Sequence, residues 1–134
     1  MIEPRWLSVD EIIRLHSIQL AEFGGAAGIR DRNLLEAAVV RPRQRYHYGE
    51  LGTIVDIAAA YATALNANHS FIDGNKRVSF HALLVFLRLH GLLLNALPSE
   101  ATEIILALAA GQVREADLRI WLRNNVINSE RADI

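Results

Sequence analysis

A chain of 134 residues, 51% apolar and 22% charged, has the size and balance of one soluble domain with its own core, spanning residues 1–134. Its formal net charge of −1 gives no global pull toward nucleic acid or an anionic membrane, so any phosphate affinity must be local. Without cysteine it forms neither disulfides nor thiolate metal sites, in keeping with a reducing cytoplasm.

The start of the chain carries Glu3, Arg5, Asp10 and Glu11 among its apolar residues, which is not the pattern of a signal peptide. Ser8-Val9-Asp10-Glu11 has the form of a capping box, with Ser8 as N-cap. Ile12, Leu15, Ile18 and Leu20 follow at mostly helical spacing, and Gly24-Gly25 stop the helix. His16 in this helix has no partner visible in sequence and reads as a structural or surface histidine.

Asp31 is an N-cap for a second helix with Leu34, Leu35, Ala38 and Val39, and Pro42 is expected to end it. Beyond it Arg41, Arg43, Arg45, Tyr46, His47 and Tyr48 form a short basic-aromatic segment. A solvated loop is one reading. A nucleic-acid patch would need a wider basic surface, so direct nucleic-acid binding is not expected. Because the segment is aromatic as well as charged, a substrate flap of Arg45, Tyr46, His47 and Tyr48 is preferred, with at most a small hairpin over Arg45 to Leu51.

Thr53 caps a third, alanine-rich helix from Ile54 to about Asn68, which delivers His69 into a loop. Val78 to Leu89 is hydrophobic almost all round and is expected to be the buried central helix, with Gly91 just past its end. The apolar region Ala82 to Leu97 is interrupted by Arg88, His90 and Gly91 and is too short to span a bilayer. Pro98-Ser99-Glu100 opens another helix that stops at Gly111, and a last one runs from about Glu115 to Val126. The polar tail Asn128 to Ile134 is expected to fray. The fold class is all-α, a compact helical bundle around a buried central helix.

Chemistry concentrates in His69-Ser70-Phe71-Ile72-Asp73-Gly74-Asn75-Lys76-Arg77, directly before the apolar helix. Open backbone N–H groups and the positive end of a helix dipole meet there, which makes an anion site. Gly74 permits close approach, Asn75, Lys76 and Arg77 add donors and charge, Asp73 can hold a divalent metal and His69 can move a proton. Each residue taken singly has a bland explanation, such as a capping histidine or an Asp-Gly turn. Together they need five bland explanations within nine residues, which favours a phosphate-handling active site. Phe71 and Ile72 read as structural. No zinc helix, P-loop or nucleophile elbow is present. Arg77, His81, Leu84 and Arg88 share one face of the following helix; His81 reads mainly as a packing residue and Arg88 as a surface one.

The nine residues resemble the Fic/Doc superfamily signature H-x-F-x-[DE]-G-N-x-R, and Lys76 resembles the Doc (death-on-curing) toxin branch. Leu7 to Glu11, Gly28-Ile29-Arg30-Asp31, Leu34-Leu35-Glu36, Arg41-Pro42 and Phe86 to Gly91 are similar to that branch too. The resemblance implies a compact helical toxin of a toxin–antitoxin module. It would act as a Mg²⁺- and ATP-dependent protein kinase on a threonine or serine of a translation factor, elongation factor Tu first. On that pattern His69 is the general base, Asp73 serves Mg²⁺, and Gly74, Asn75, Lys76 and Arg77 bind nucleotide phosphates.

Lys76 in place of a glycine, and Phe80 where a second arginine would stand, speak against AMP transfer and favour a nucleotide that presents its γ-phosphate. Adenylylation of a hydroxyl side chain and a toxin that blocks translation by binding alone are the alternatives. The self-inhibiting motif [ST]-x-x-x-E-[GN] is missing, since Ile104 follows Ser99 to Glu103. Inhibition is then expected in trans, from a Phd-like antitoxin whose C-terminal segment folds into a groove on this cytoplasmic protein.

Overall fold

The computed structural model describes residues 3–129. Helix α1 (Val9–Phe23) begins at the expected capping box: Ser8 Oγ accepts from the Glu11 N–H at 3.1 Å, and Glu11 Oε1 accepts from the Ser8 N–H at 3.0 Å. Gly24, at φ 80°, ends it. Asp31 caps α2 (Arg32–His47) by accepting from the Leu34 N–H at 3.0 Å.

Here the structure corrects the reading of Pro42. The helix runs through this proline and ends at His47, although proline removes one backbone donor and costs about 3 kcal/mol inside a helix. Long-range contacts of the following turn offset that cost. Arg45 gives Glu115 two bonds of 2.8 Å, the Tyr46 ring meets Trp6 edge-on with centroids 5.4 Å apart, and His47 Nε2 lies 2.5 Å from Glu3 Oε1. Arg45, Tyr46 and His47 are therefore helical residues tied to the fold, and only Tyr48 stands largely free in solvent. Arg45 to Leu51 form no hairpin.

Helix α3 (Ile54–Asn68) starts at a second capping box, Thr53 with Asp56, and its run from Val55 to Ala62 is wholly buried. Its alanines let α2 and α4 (Asn75–Leu89) approach closely. The buried centre of the bundle is thus chiefly α3. Helix α4 buries one face, Val78, Ser79, Ala82, Leu83, Phe86 and Leu87, while Arg77 and Arg88 remain in solvent. Where α3 meets α4, Tyr61 packs on Phe86 at 5.2 Å, and its hydroxyl accepts from the Leu7 N–H at 2.9 Å. Burial pushes the Tyr61 hydroxyl up to about 12.

Gly91, at φ 78°, turns the chain out of α4 into β1 (Leu92–Leu94), which pairs antiparallel with β2 (Val126–Asn128), Leu93 opposite Ile127. This ribbon of two three-residue strands was not expected from the sequence. Between the strands lie α5 (Pro98–Ala109) and α6 (Glu115–Asn125). Of the tail expected to fray, Asn128 belongs to β2 and residues 130–134 lie outside the described residues. Among the described residues no helix is long and apolar enough to cross a membrane.

Candidate active site

The loop between α3 and α4 is held from several sides. His69 closes α3 in the left-handed conformation (φ 46°, ψ 51°), and its exposed side chain faces a cavity. Phe71 drops into the core at 1% exposure and anchors the loop. The His16 ring stacks on it, 3.8 Å between centroids and 10° from parallel. His16 Nε2 lies 2.7 Å from the Asp73 carbonyl oxygen. A carbonyl only accepts, so this nitrogen carries the hydrogen. The structural reading of His16 finds its partner here, 57 positions along the chain. Asn75 clamps the loop from the other end: its Oδ1 accepts from the Phe71 N–H at 3.0 Å and its Nδ2 donates to the Phe71 carbonyl at 2.9 Å.

The loop also pairs with the segment joining α1 and α2. Ile29 and Phe71 form an isolated antiparallel bridge, and the Ile72 N–H donates to the Gly28 carbonyl at 3.1 Å. Asp73 points back at this segment. Its carboxylate accepts from the Ala26 N–H at 3.2 Å and from the Gly74 N–H at 2.8 Å. These backbone donors hold the Asp73 carboxyl below the usual carboxylate range, and the charge of Arg77 acts in the same direction.

Gly74 is the N-cap of α4, at φ 78°, and offers no side chain to cap it. The first backbone bond of the helix runs from the Val78 N–H to the Gly74 carbonyl, so the N–H groups of Asn75, Lys76 and Arg77 precede the ladder. Lys76 and Arg77 are exposed, and the Arg77 guanidinium sits 4.9 Å from the centre of the Phe23 ring.

His69, Asp73, Gly74, Asn75, Lys76 and Arg77 all line one cavity of about 710 Å³, within the size range of small-molecule sites. All six residues singled out for chemistry in this stretch thus come together. The side-chain amide of Asn75 is committed to Phe71, leaving its backbone N–H as the group it can offer an anion. Arg45, Tyr46, His47 and Tyr48 do not line this cavity; Arg45 and Arg41 border a separate, smaller one between α2 and α3. A flap over the active site is therefore not what they form, because α2 continues past Pro42 and carries them elsewhere. His81 and Arg88 also lie off the cavity. Burial pushes the His81 imidazole down, as suits a packing residue.

Ile72, read as structural, and Phe80, read as standing in place of a second arginine, also line the cavity. Sequence reasoning missed the remaining walls, Phe23, Gly24 and Gly25 at the end of α1 and Thr102, Ile105 and Leu106 of α5. Gly25 has a steric signature that no pattern announces: a Cβ there would stand 2.8 Å from Asp73 Oδ2, at a φ of 121°.

Among the described residues no three histidines or carboxylates cluster as a metal site. Among the described residues Asp73 is the only carboxylate lining the cavity. That donor set fits Mg²⁺, which commonly takes one or two protein carboxylates and completes its shell with phosphate and water.

The Fic/DOC family model matches residues 6–87, which contain α1 to α3, the whole loop and most of α4. The chain belongs to the Fic/DOC family. It is 30% identical over 119 residues to the protein kinase doc of Escherichia phage P1, covering 89% of this chain and 94% of that protein. It is also 37% identical over 92 residues to the toxin Doc of Mycolicibacterium smegmatis, covering 68% of each. The α5 wall of the cavity lies beyond the stretch that the family model matches.

Proposed function

We propose that this chain is the toxin of a toxin–antitoxin module and a protein kinase that moves the γ-phosphate of ATP to a threonine or serine hydroxyl of a translation factor, elongation factor Tu being the first candidate. One observation carries the reading: the exposed imidazole of His69 shares a cavity with an uncapped helix N-terminus flanked by Asp73, Lys76 and Arg77. The names of the relatives, one a protein kinase and one a toxin, support it.

In this reading His69 accepts the hydroxyl proton while the hydroxyl oxygen bonds to the γ-phosphorus. The bond from that phosphorus to the β–γ bridging oxygen breaks, and ADP leaves. The N–H groups of Asn75, Lys76 and Arg77, with the two cationic side chains, bind the phosphate oxygens and draw off their charge. Asp73 would hold Mg²⁺, which when bound neutralises phosphate charge. Phe80 and the apolar α5 residues Ile105 and Leu106 offer the nucleotide no further positive charge, which fits γ-phosphate rather than AMP transfer. Because Ile104 interrupts the self-inhibiting pattern, control falls to a Phd-like antitoxin acting in trans in the cytoplasm.

The test is the intact mass of elongation factor Tu after incubation with this protein, ATP and Mg²⁺, beside a His69→Ala control. One added phosphate that disappears in the control is the expected result. Added AMP would replace phosphoryl transfer by adenylylation. An unmodified factor, with growth still arrested by His69→Ala, would leave a toxin that acts by binding alone.

A further inference from the structure

His69 is the only non-glycine residue with positive φ among the described residues, and the chain holds it there beside the site. The holding group is Arg30. Its Nε donates to the His69 carbonyl at 2.6 Å and its Nη2 to the Asn68 carbonyl at 3.1 Å, while its backbone N–H donates to the Ser70 carbonyl at 2.8 Å. One residue thus grips three consecutive carbonyls, centred on His69 and reached across 39 positions of sequence.

The arrangement fixes the orientation of the turn as well as satisfying its carbonyls. The carbonyls of Asn68 and His69 lie at the negative end of α3, where a cation is favoured and where no residue of the last turn supplies one. Among the described residues Arg30 makes no ion pair with a carboxylate, so its guanidinium acts on those carbonyls. Two donors in a rigid fork, one on each of two consecutive carbonyls, fix how those carbonyls stand to each other, and a single ammonium does not. The same short segment forms the bridge from Ile29 to Phe71, so Arg30 sits where the α1–α2 connection already meets the loop. Lacking this grip, the left-handed turn can relax and the imidazole swing away from the cavity.

We propose that Arg30 is a positioning residue for the reaction: its fork on the Asn68 and His69 carbonyls sets the left-handed turn that aims the imidazole. This rests on the reading of His69 as general base. It assigns Arg30 no contact with ATP or with the accepting hydroxyl.

Arg30→Ala and Arg30→Lys in the full chain test it through two separate readouts. In the phosphoryl-transfer assay, kcat should fall about tenfold to a hundredfold in both, the usual cost of a slightly misplaced catalytic group. KM for ATP should stay within about twofold. Millimolar guanidinium should restore part of the Arg30→Ala rate and none of the His69→Ala rate. Independently of activity, the His69 Cε1–H resonance of the parent should be a single dispersed peak. In both variants it should move toward the position of a free histidine, while the Phe71 ring signals keep theirs.

Unchanged kcat with an unchanged His69 resonance would overturn the proposal. So would a loss in which KM rises and the Phe71 signals collapse too, because that marks a merely structural residue. Should Arg30→Ala not fold, Arg30→Lys, which keeps the charge and removes the fork, decides alone. If the parent transfers no phosphate, the kinase reading fails, and the resonance still reports whether Arg30 aims His69.

Discussion

Replacing Asn75 by alanine separates two roles that this side chain could have. Its amide makes a closed pair of bonds with the Phe71 backbone, at 3.0 and 2.9 Å, between the loop and the first turn of α4. Each such bond contributes about 1 kcal/mol net, and the two Phe71 groups are partly shielded from water, so losing their partner costs somewhat more than losing the bonds. Alanine itself is tolerated at the start of a helix, and the stack of His16 on Phe71 remains. The expected loss is about 2–3 kcal/mol, a large share of the ~5–15 kcal/mol that holds a domain together. Urea unfolding followed by circular dichroism measures it: the midpoint should fall with an unchanged slope. ATP affinity, titrated on the folded protein, should drop only modestly. A variant with parental stability and abolished ATP binding would refute the reasoning, since the amide would then serve the ligand and not Phe71.

Gly25→Ala puts a Cβ 2.8 Å from Asp73 Oδ2 at a backbone angle that suits glycine. On the proposed reading phosphoryl transfer should fall at least about tenfold, with more Mg²⁺ needed for half-maximal rate, as read from steady-state kinetics at graded Mg²⁺. Glu115 is penalised by burial, yet its bonds to Arg45 and Arg119 hold its carboxyl below the usual carboxylate range. Its contribution to stability is therefore complete above its unfolded value, near 4.5, and is lost as pH falls through the lower folded value. From pH 6 to pH 3 the melting temperature should fall less in Glu115→Gln than in the parent, and this variant should also lower stability at pH 7 by roughly 2 kcal/mol, since the pair is partly solvated. Tyr61→Phe leaves the Leu7 N–H without its acceptor in a buried place and should cost about 1–3 kcal/mol in urea, with the proposed transfer rate per folded molecule unchanged.

What could be read from the sequence was mostly local. Ser8 with Glu11 and Thr53 with Asp56 announce helix starts because the bonds they make span three residues. The chemical stretch from His69 to Arg77 was legible for the same reason: its parts are contiguous, and the helix after it is apolar. Pro42 misled because the contacts that carry α2 past it come from Glu3, Trp6 and Glu115, none of them near in sequence. The ribbon Leu92–Leu94 with Val126–Asn128 is too short to show a pattern and exists only once its partners meet. The far walls of the cavity, from Phe23 to Leu106, carry ordinary helix residues whose position depends on how α1 and α5 pack. His16 and Arg30 belong to the same class: each bonds a carbonyl inside the motif, that of Asp73 and that of His69, from a distance in sequence that no local pattern spans.

The bare glycine at the head of α4 has a thermodynamic consequence. Most helices open on a side chain that satisfies their first N–H groups, whereas here that place is left to whatever arrives from solution. Occupancy and folding are therefore linked: a polyphosphate that binds only the native chain raises the unfolding free energy by about 2.7 kcal/mol at a hundred times its dissociation constant. A protein built this way is least robust when idle and firmest when loaded; if ATP is that ligand, as proposed, its free concentration sets the lifetime of the protein as well as its rate.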